Sequence, residues 1–584
     1  MMARRRAGRH ARTIRRFTPR RWLPFVALIV LAAAAVVISE QVDTDDPVEV
    51  RLASPEHLLP VAAVPDSVSA TWFCGGGTAT GEGEGADLSV VIANAGDTGA
   101  EALVTYYSPE GDPSSEEISV PVNGRVRVTA RDVLEGDWSA STVEVFGGRA
   151  TVERRVVGDD GFDQAPCASA ASDTWYLPSG STLRGSTEQI FLFNPFPDTA
   201  AVDIRFATDE GALAPQSLTG IAVPARSLQV VTLENPARRK EVSAIVTTRT
   251  GRIAVDRLQT HDGSGDPVAG SGPTPIDTDA PRGMASTPAI ATPSARWFWP
   301  DARIVQGGRT QLAILNPDED DDAELELLVG FDDPELYTPI APIKVSVPAG
   351  EQTVLDLSDD VDFQHGMELT LDLLSTEGVR VVAELVWHTG ERETQALPTE
   401  EDPDSMGEED AEASFEDGEE GAAADDGAEG AEGEVDDEDE ADDEEEHDHD
   451  EVEGPGFTVY APGFAVTAGS PVGARAWFVA GTGASSTVTS EIVVANPSAG
   501  AVEVTVTELV DGSQVEVAEA KVTVPARGRV TLDLSTMVDA PSAVLIEGRG
   551  PLVVSRTLWA TEERGTSVDL ATPLPDQVVP LPSR

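Results

Sequence analysis

Short runs of alternating apolar and polar residues recur along most of the chain. Arg125-Val126-Arg127-Val128, Thr505-Val506-Thr507-Glu508-Leu509-Val510, Lys521-Val522-Thr523-Val524 and Arg529-Val530-Thr531-Leu532-Asp533-Leu534 keep a period of two. β-Branched residues fill many of the apolar positions, so the pattern predicts half-buried strands. Asn-Pro pairs and glycines punctuate the runs and predict turns. Long stretches of helical period are missing from these regions. The fold class this predicts is all-β, with tandem immunoglobulin-like or fibronectin-like β-sandwich domains of about seven strands each. One transmembrane helix is expected to precede them.

Four segments share one layout. Each opens on Trp plus an aromatic: Trp72-Phe73, Trp175-Tyr176, Trp297-Phe298 and Trp477-Phe478. An apolar run then ends in Asn94, Asn194, Asn316 or Asn496, which lies 22, 19, 19 or 19 residues after its Trp. Pro follows the Asn in the last three copies. A Val-Pro step comes next, at Pro121, Pro224, Pro348 and Pro525, 27, 30, 32 and 29 residues beyond the Asn. Last come a glycine and a strand: Gly148 to Arg154, Gly251 to Arg257, Gly378 to Glu384 and Gly550 to Arg556. Ordered landmarks at near-constant spacing mark an internal repeat. The Trp is read as a core aromatic, the Asn as a side chain that closes a turn, and the Pro as an edge residue that forfeits no ladder bond.

Residues 22–39 are uncharged and apolar, about 27 Å long as a helix, enough for a bilayer core. Nine Arg and no acid occupy residues 1–21, and Glu40, Asp43, Asp45 and Asp46 follow the segment. The positive-inside rule puts the N-terminus in the cytoplasm and the bulk outside the cell. The expected location is therefore the cell membrane, single-pass. Secretion after cleavage near Ala33-Ala34-Ala35 is the alternative. Domains follow: 1–21 basic tip, 22–39 anchor, 40–70 linker, 71–171 sandwich one, 172–292 sandwich two with a loop at 263–281, 293–399 sandwich three, 400–456 a disordered acidic insert, and 457–584 sandwich four. The insert is placed between copies three and four, as a self-repelling spacer that holds the fourth copy away from the others. Two cysteines, Cys74 and Cys167, lie beyond the anchor. Export permits a disulfide between them, and two buried thiols are the alternative.

This layout resembles an actinobacterial family of exported, single-pass proteins, the domain-of-unknown-function family 5719. The residues that carry the resemblance are Trp175-Tyr176, Phe191 to Asp198, Phe206 to Gly211 and Val223 to Arg226. It covers most of residues 70–399 and 457–584. The resemblance implies an envelope location, no assigned activity and no catalytic residues.

Charge refines the picture. The chain has 584 residues and a net charge of −63. Residues 400–453 hold 31 acids and no Lys or Arg, and apart from them and the basic tip the net charge is −41. Such acidity excludes nucleic acid as a partner, because phosphate contacts need clustered Lys and Arg. A hydrated, repulsive surface of this kind suits high salt.

Chemistry is sparse. His447 and His449 in the acidic tract are weak metal candidates, with a solvated tract as the plain reading. Asp318 to Asp322 has the charge but not the spacing of a calcium loop. Gly81 to Gly85 lacks the dinucleotide spacing. Phe196 and Trp299 are possible sugar-stacking aromatics, though burial is the commoner fate. No nucleophile elbow, zinc-protease or Walker motif occurs, and no cofactor is expected. The expected function is a non-enzymatic envelope scaffold, adhesion or binding module. Alternatives are an accessory protein of envelope polysaccharide assembly or binding and, from another class, a divergent hydrolase. Partners are the membrane, through residues 22–39, and an envelope polysaccharide or protein; oligomeric state is open.

Overall fold

The computed structural model describes residues 55–64, 67–80, 85–265, 281–305, 307–331, 340–360, 362–364, 366–390, 392–395, 457–460, 462–510, 512–538, 542–560 and 565–582. The segments called basic tip, anchor and acidic insert lie outside the described residues, as do His447 and His449. No described helix is long and apolar enough to cross a membrane. The chain divides into two units, Met1–Ala53 and Ser54–Arg584. All features below belong to the second.

The fold is all-β. Described helices are single turns such as Ala130–Val133 and Leu534–Met537. Strands form where β-branched residues alternate with polar ones: Val502–Val510 buries every second residue over most of its length. Each of the four copies stacks two antiparallel sheets into a sandwich-like unit. In the second, one sheet runs Gly211–Leu213, Ala200–Thr208, Val242–Thr250, Thr174–Leu177, and the other Ser227–Thr232, Ser186–Asn194, Ala254–Asp262, Arg282–Pro288. The remaining copies repeat this order with small departures. In the first, a parallel bridge from Thr78 to Asp87 links the two sheets. In the fourth, the strand Ala543–Ala560 runs continuously through both. The glycine landmarks of the first three copies sit at the turn between sheets with positive φ: Gly148 at 75°, Gly251 at 83° and Gly378 at 85°. A side chain there is strained, which is why glycine marks the crossing.

The Trp and Asn landmarks hold each unit together. Trp72, Trp175, Trp297 and Trp477 are buried in the core. Their indole N–H groups donate to the carbonyls of Val61, Ile253, Val381 and Leu552. A buried indole needs such a partner. Asn94, Asn194, Asn316 and Asn496 are buried too. Each accepts the N–H two residues on and donates to the turn that follows and to the Val-Pro step. Asn496 donates to Gly500 O at 2.8 Å, Val524 O at 3.3 Å and Pro525 O at 2.9 Å, and accepts from Ser498 N at 2.9 Å. Pro121, Pro224, Pro348 and Pro525 begin a turn whose third residue has positive φ: Asn123, Arg226, Gly350 and Arg527. One buried amide thereby joins two turns that are about 30 residues apart in sequence.

The four units close into a ring. Each ends in a closing strand: Gly161–Pro166, Arg282–Pro288, Gly463–Ala468 and Thr566–Leu570. The first packs on the second, the second on the third, the third on the fourth, and the fourth on the first. Glycine permits the approach. A Cβ on Gly283 would collide with the Phe464 backbone, one on Gly463 with Thr566, and one on Gly565 with Phe162.

Buried ion pairs between equivalent positions lock three of the four seams, all in one direction. Arg154 pairs with Asp256 at 2.5 Å, Arg257 with Glu384 at 3.3 Å, and Arg556 with Glu153 at 2.7 Å. The acids also take N–H groups from a neighbouring unit: Ala480 N donates to Glu153 and Ser179 N to Glu384. Ladder register explains the odd seam. Val90, Ile190, Leu312 and Ile492 face Arg154, Arg257, Leu385 and Arg556, so the third unit carries Leu where the others carry Arg. Its would-be partner in the fourth unit is Ser555 rather than an acid. That seam uses other residues: Arg529 reaches Asp301 at 3.0 Å and Glu368 at 2.6 Å, and Arg303 reaches Glu491 at 2.7 Å. Burial opposes the charge on Asp301, but Arg303 and Arg529 outweigh it and hold the carboxyl below its usual range.

Two expectations fail here. The strand Gly463–Ala468 pairs with Val382–Thr389, and Arg392–Gln395 pairs with Phe457–Tyr460. The acidic insert therefore interrupts the last hairpin of the third unit, and that unit extends past the expected boundary at 399. Nor does the fourth unit stand apart, since it is seated on both the first and the third through the ion pairs above. The alternation of residues 463–468 was too short to assign to either neighbour from sequence.

Candidate functional site

Most repeat landmarks are committed to structure. Cys74 and Cys167 form a disulfide with Cα atoms 4.9 Å apart, tying the first strand of unit one to the end of its closing strand. Trp299 is fully buried, its indole donating to Thr467 O, and is no sugar platform. Phe196 is half-buried, packed against Phe73 with Arg252 over its ring. Asp318 spends its carboxylate on the N–H groups of Asp320 and Asp321, and Asp322 on that of Ala349. Those acids build a turn. Among the described residues, no cluster of three or more His, Cys, Asp or Glu is arranged to hold a metal.

Two cavities lie where units meet. One, of about 70 Å³, sits where the tails of all four units converge, lined by Pro166, Ala168, Ala289, Ile290, Ala468 and Leu570 among others, with His57 at its wall. It is small and mainly apolar. The other, of about 420 Å³, lies between the second and third units. It is mixed polar and apolar, open to solvent, and large enough for a small ligand.

Adjacent strands set its floor. His261 lies near the end of Ala254–Asp262 and His388 near the end of Val382–Thr389, which face each other across the seam. The two rings are edge-on at 5.2 Å, and Phe464 packs on them at 4.4 and 5.0 Å. Burial pushes His261 down to about 4. Burial, then the nearby His261 and Arg309, take His388 well below its usual range. Both imidazoles are neutral at pH 7. The Gln259 amide donates to His261 Nε2 at 3.2 Å, leaving the ring proton on Nδ1, 2.8 Å from Ser186 Oγ. The serine then accepts from the histidine, the reverse of what a nucleophile needs from its base.

Cations rim the pocket. Arg184, Arg238 and Lys240 are exposed on its second-unit side, and Arg309 comes from the third. Arg309 is held by Asp356 and Asp359, and Lys240 is 3.6 Å from Glu241. Arg184 and Arg238 have no ion-pair partner among the described residues. Three amides, Gln259, Gln311 and Gln352, line the walls. Gln259 Oε1, Gln352 Nε2 and His388 Nδ1 are buried without a hydrogen-bond partner. These three atoms leave hydrogen-bonding capacity at the pocket that the described residues do not meet.

Behind the wall sits Glu188. Burial is the main cause that lifts its carboxyl to about 8, with Glu384 adding to the lift and Arg257 opposing it. Both its oxygens lack partners among the described residues. The group is a neutral acid at pH 7.

The histidines looked scattered in sequence, yet they carried a signal. Gly251 to His261 and Gly378 to His388 are both ten residues, in consecutive copies. Arg238-Arg239-Lys240 is also the only run of three basic residues after the N-terminal tip. Neither fact means anything until the seam between units is known.

No curated protein sequence matches the chain. The resemblance to a family of unknown function holds over the second and third units, and the pocket's lining residues other than Phe464 fall inside the matched range. Residues 148–401 of the chain match the model of a family of unknown function, DUF5719.

Proposed function

We propose that this protein is a non-enzymatic binding module of the cell envelope, anchored through residues 22–39 with the ring outside the cell. In this reading the sandwiches are of the immunoglobulin-like kind, and the ring is a rigid frame for the pocket between its second and third units. One observation carries the reading: a 420 Å³ pocket rimmed by guanidinium groups that have no ion-pair partner among the described residues, in a chain of net charge −63. A site of that sign on so acidic a molecule is selective placement. The hydrolase alternative is disfavoured by the Ser186–His261 geometry, since the serine is an acceptor and the imidazole too weak a base near neutral pH.

The test is retention. Full-length protein in detergent, immobilised through a C-terminal tag, is exposed to solubilised envelope glycans and proteins from the producing cells. Specific retention of one fraction, lost when the pocket is altered, supports the reading. Retention of nothing, together with turnover on an ester or glycan panel, sinks it.

A further inference from the structure

The geometry points to a ligand class, and we propose that the pocket between the second and third units binds an acidic saccharide through its carboxylate. The inference rests on the binding-module reading above and narrows it.

Four features decide the class. The cations without an ion-pair partner among the described residues are guanidinium groups. Arg184 and Arg238 each present a planar fork of donors that matches a carboxylate in bidentate fashion. Two forks at one rim set the charge of the ligand at one or two carboxylates. The walls are amides and hydroxyls. Gln259, Gln311 and Gln352, with Ser181 and Ser186, offer both donors and acceptors, which suits a polyhydroxylated body rather than an apolar one. The orphaned atoms are of both kinds as well: Gln259 Oε1 accepts and Gln352 Nε2 donates. Gln259 lines the pocket and is only 3 % exposed. Ring hydroxyls satisfy such a mixture, because each can donate and accept. Finally, the floor is neutral. The half-buried His388, backed by the buried His261 and Phe464, lines it without adding charge. The volume of about 420 Å³ suits one or two sugar units.

A long polyanion fits worse. The rest of the exported chain is strongly acidic, and it repels an extended polymer of like charge. A chain end or a short branch enters more easily.

Isothermal titration of the full chain in detergent tests this with digalacturonate, its methyl ester, cellobiose and inorganic phosphate. Digalacturonate is expected to bind, with affinity falling as salt rises. Methyl esterification, or the double change Arg184→Gln and Arg238→Gln, is expected to weaken it about tenfold or more, the loss of a charge-assisted contact. Both arginines are exposed, so an unchanged melting curve for the variant separates lost contacts from lost fold. Gln259→Leu is expected to weaken digalacturonate and cellobiose alike. Equal affinity for digalacturonate and cellobiose, tighter binding of phosphate, or an unaffected arginine variant would overturn the class. If no saccharide binds while the chain still retains an envelope fraction, the ligand class is wrong and the binding-module reading survives.

Discussion

Arg154 of the first sandwich meets Asp256 of the second at 2.5 Å, with both side chains fully buried. The pair exists only because the ring closes, since the residues belong to different units and lie 102 apart in sequence. The third unit shows what the same position looks like without charge, in Leu385 and Ser555. Removing one partner strands the other in a dry seam, whereas removing both need not. Arg154→Leu alone is expected to cost about 3–5 kcal/mol. Adding Asp256→Ser should restore much of that loss, because it copies the uncharged pair of positions, Leu385 and Ser555, in the seam between the third and fourth units. Urea unfolding of the two single variants and the double settles it. A double variant as unstable as the sum of the singles would refute the exchange.

The repeat was legible because its landmarks are local. Trp, Asn and Pro each do their work within one unit, at spacings the chain fixes directly. Asn194 can be read as a turn-closing side chain from its place at the end of an apolar run. The ring was not legible, although its residues were in view. Arg154, Arg257, Glu384 and Arg556 all stand at the same distance from a glycine, but which unit each one faces depends on closure of all four. Glu384 even sits one ladder position away from the arginines it lines up with in sequence. The pocket needed the same knowledge, since His261 and His388 meet only across a seam. The acidic insert misled for another reason: charge and length made it look like a boundary, while the six residues after it belong to the unit before it.

The turn-closing amide gives a second test. Asn496 serves three carbonyls and one N–H from two turns. Asn496→Ala leaves several of these buried and unpaired, so a loss of about 3 kcal/mol is expected. Asn496→Asp should also destabilise, because a carboxylate cannot donate to the carbonyls of Val524 and Pro525. Equal stability of either variant and the wild type, measured by denaturant unfolding, would refute the role.

The disulfide closes a separation of 93 residues within the first unit. Constraining the unfolded chain over that span is worth about 4–5 kcal/mol in the loop-entropy account. The double change Cys74→Ala and Cys167→Ala should therefore lower the melting temperature markedly. A reductant should do the same to the wild type once unfolding exposes the bridge. Insensitivity to both would show that the seams around unit one, and not the bridge, hold it folded.

Protonation gives a prediction with two opposed sides. Glu188 keeps its proton in the fold up to about pH 8, against an ordinary value of 4.5. Between those values the folded chain binds a proton that the unfolded chain has lost. Stability from this group is complete below about pH 4.5 and declines as pH rises toward 8. His261 acts the other way, at about 4 in the fold against 6.5 ordinarily. The unfolded chain takes the proton first, so stability falls as pH drops from 6.5 toward 4. Glu188→Gln is expected to flatten the alkaline slope and leave the acid slope in place. His261→Gln should do the reverse. Melting temperatures taken across pH 4 to 8 check both, and a variant with the parental slope would remove that residue from the account.

The position of the acidic insert makes the last prediction. Its flanks, Arg392–Gln395 and Phe457–Tyr460, pair with each other, and the next strands inward, Val382–Thr389 and Gly463–Ala468, do the same. The hairpin is thus closed below the insert, and the fourth unit is reached through the closing strand and not through the insert. Replacing residues 400–453 by a short Gly-Ser turn should therefore keep the ring intact. The change removes 31 acids and takes the net charge from −63 to −32, which relieves repulsion. The effect on stability should lie within about 0.5 kcal/mol at moderate salt, with a small gain at low salt. The seam between units three and four carries its own reporter, the stacked Trp387–Trp559 pair at 6.2 Å. Its near-ultraviolet dichroism should be unchanged in the shortened protein. If the insert instead spaced the fourth unit from the third, shortening it would jam the two together, and both the dichroism and the melting temperature would fall.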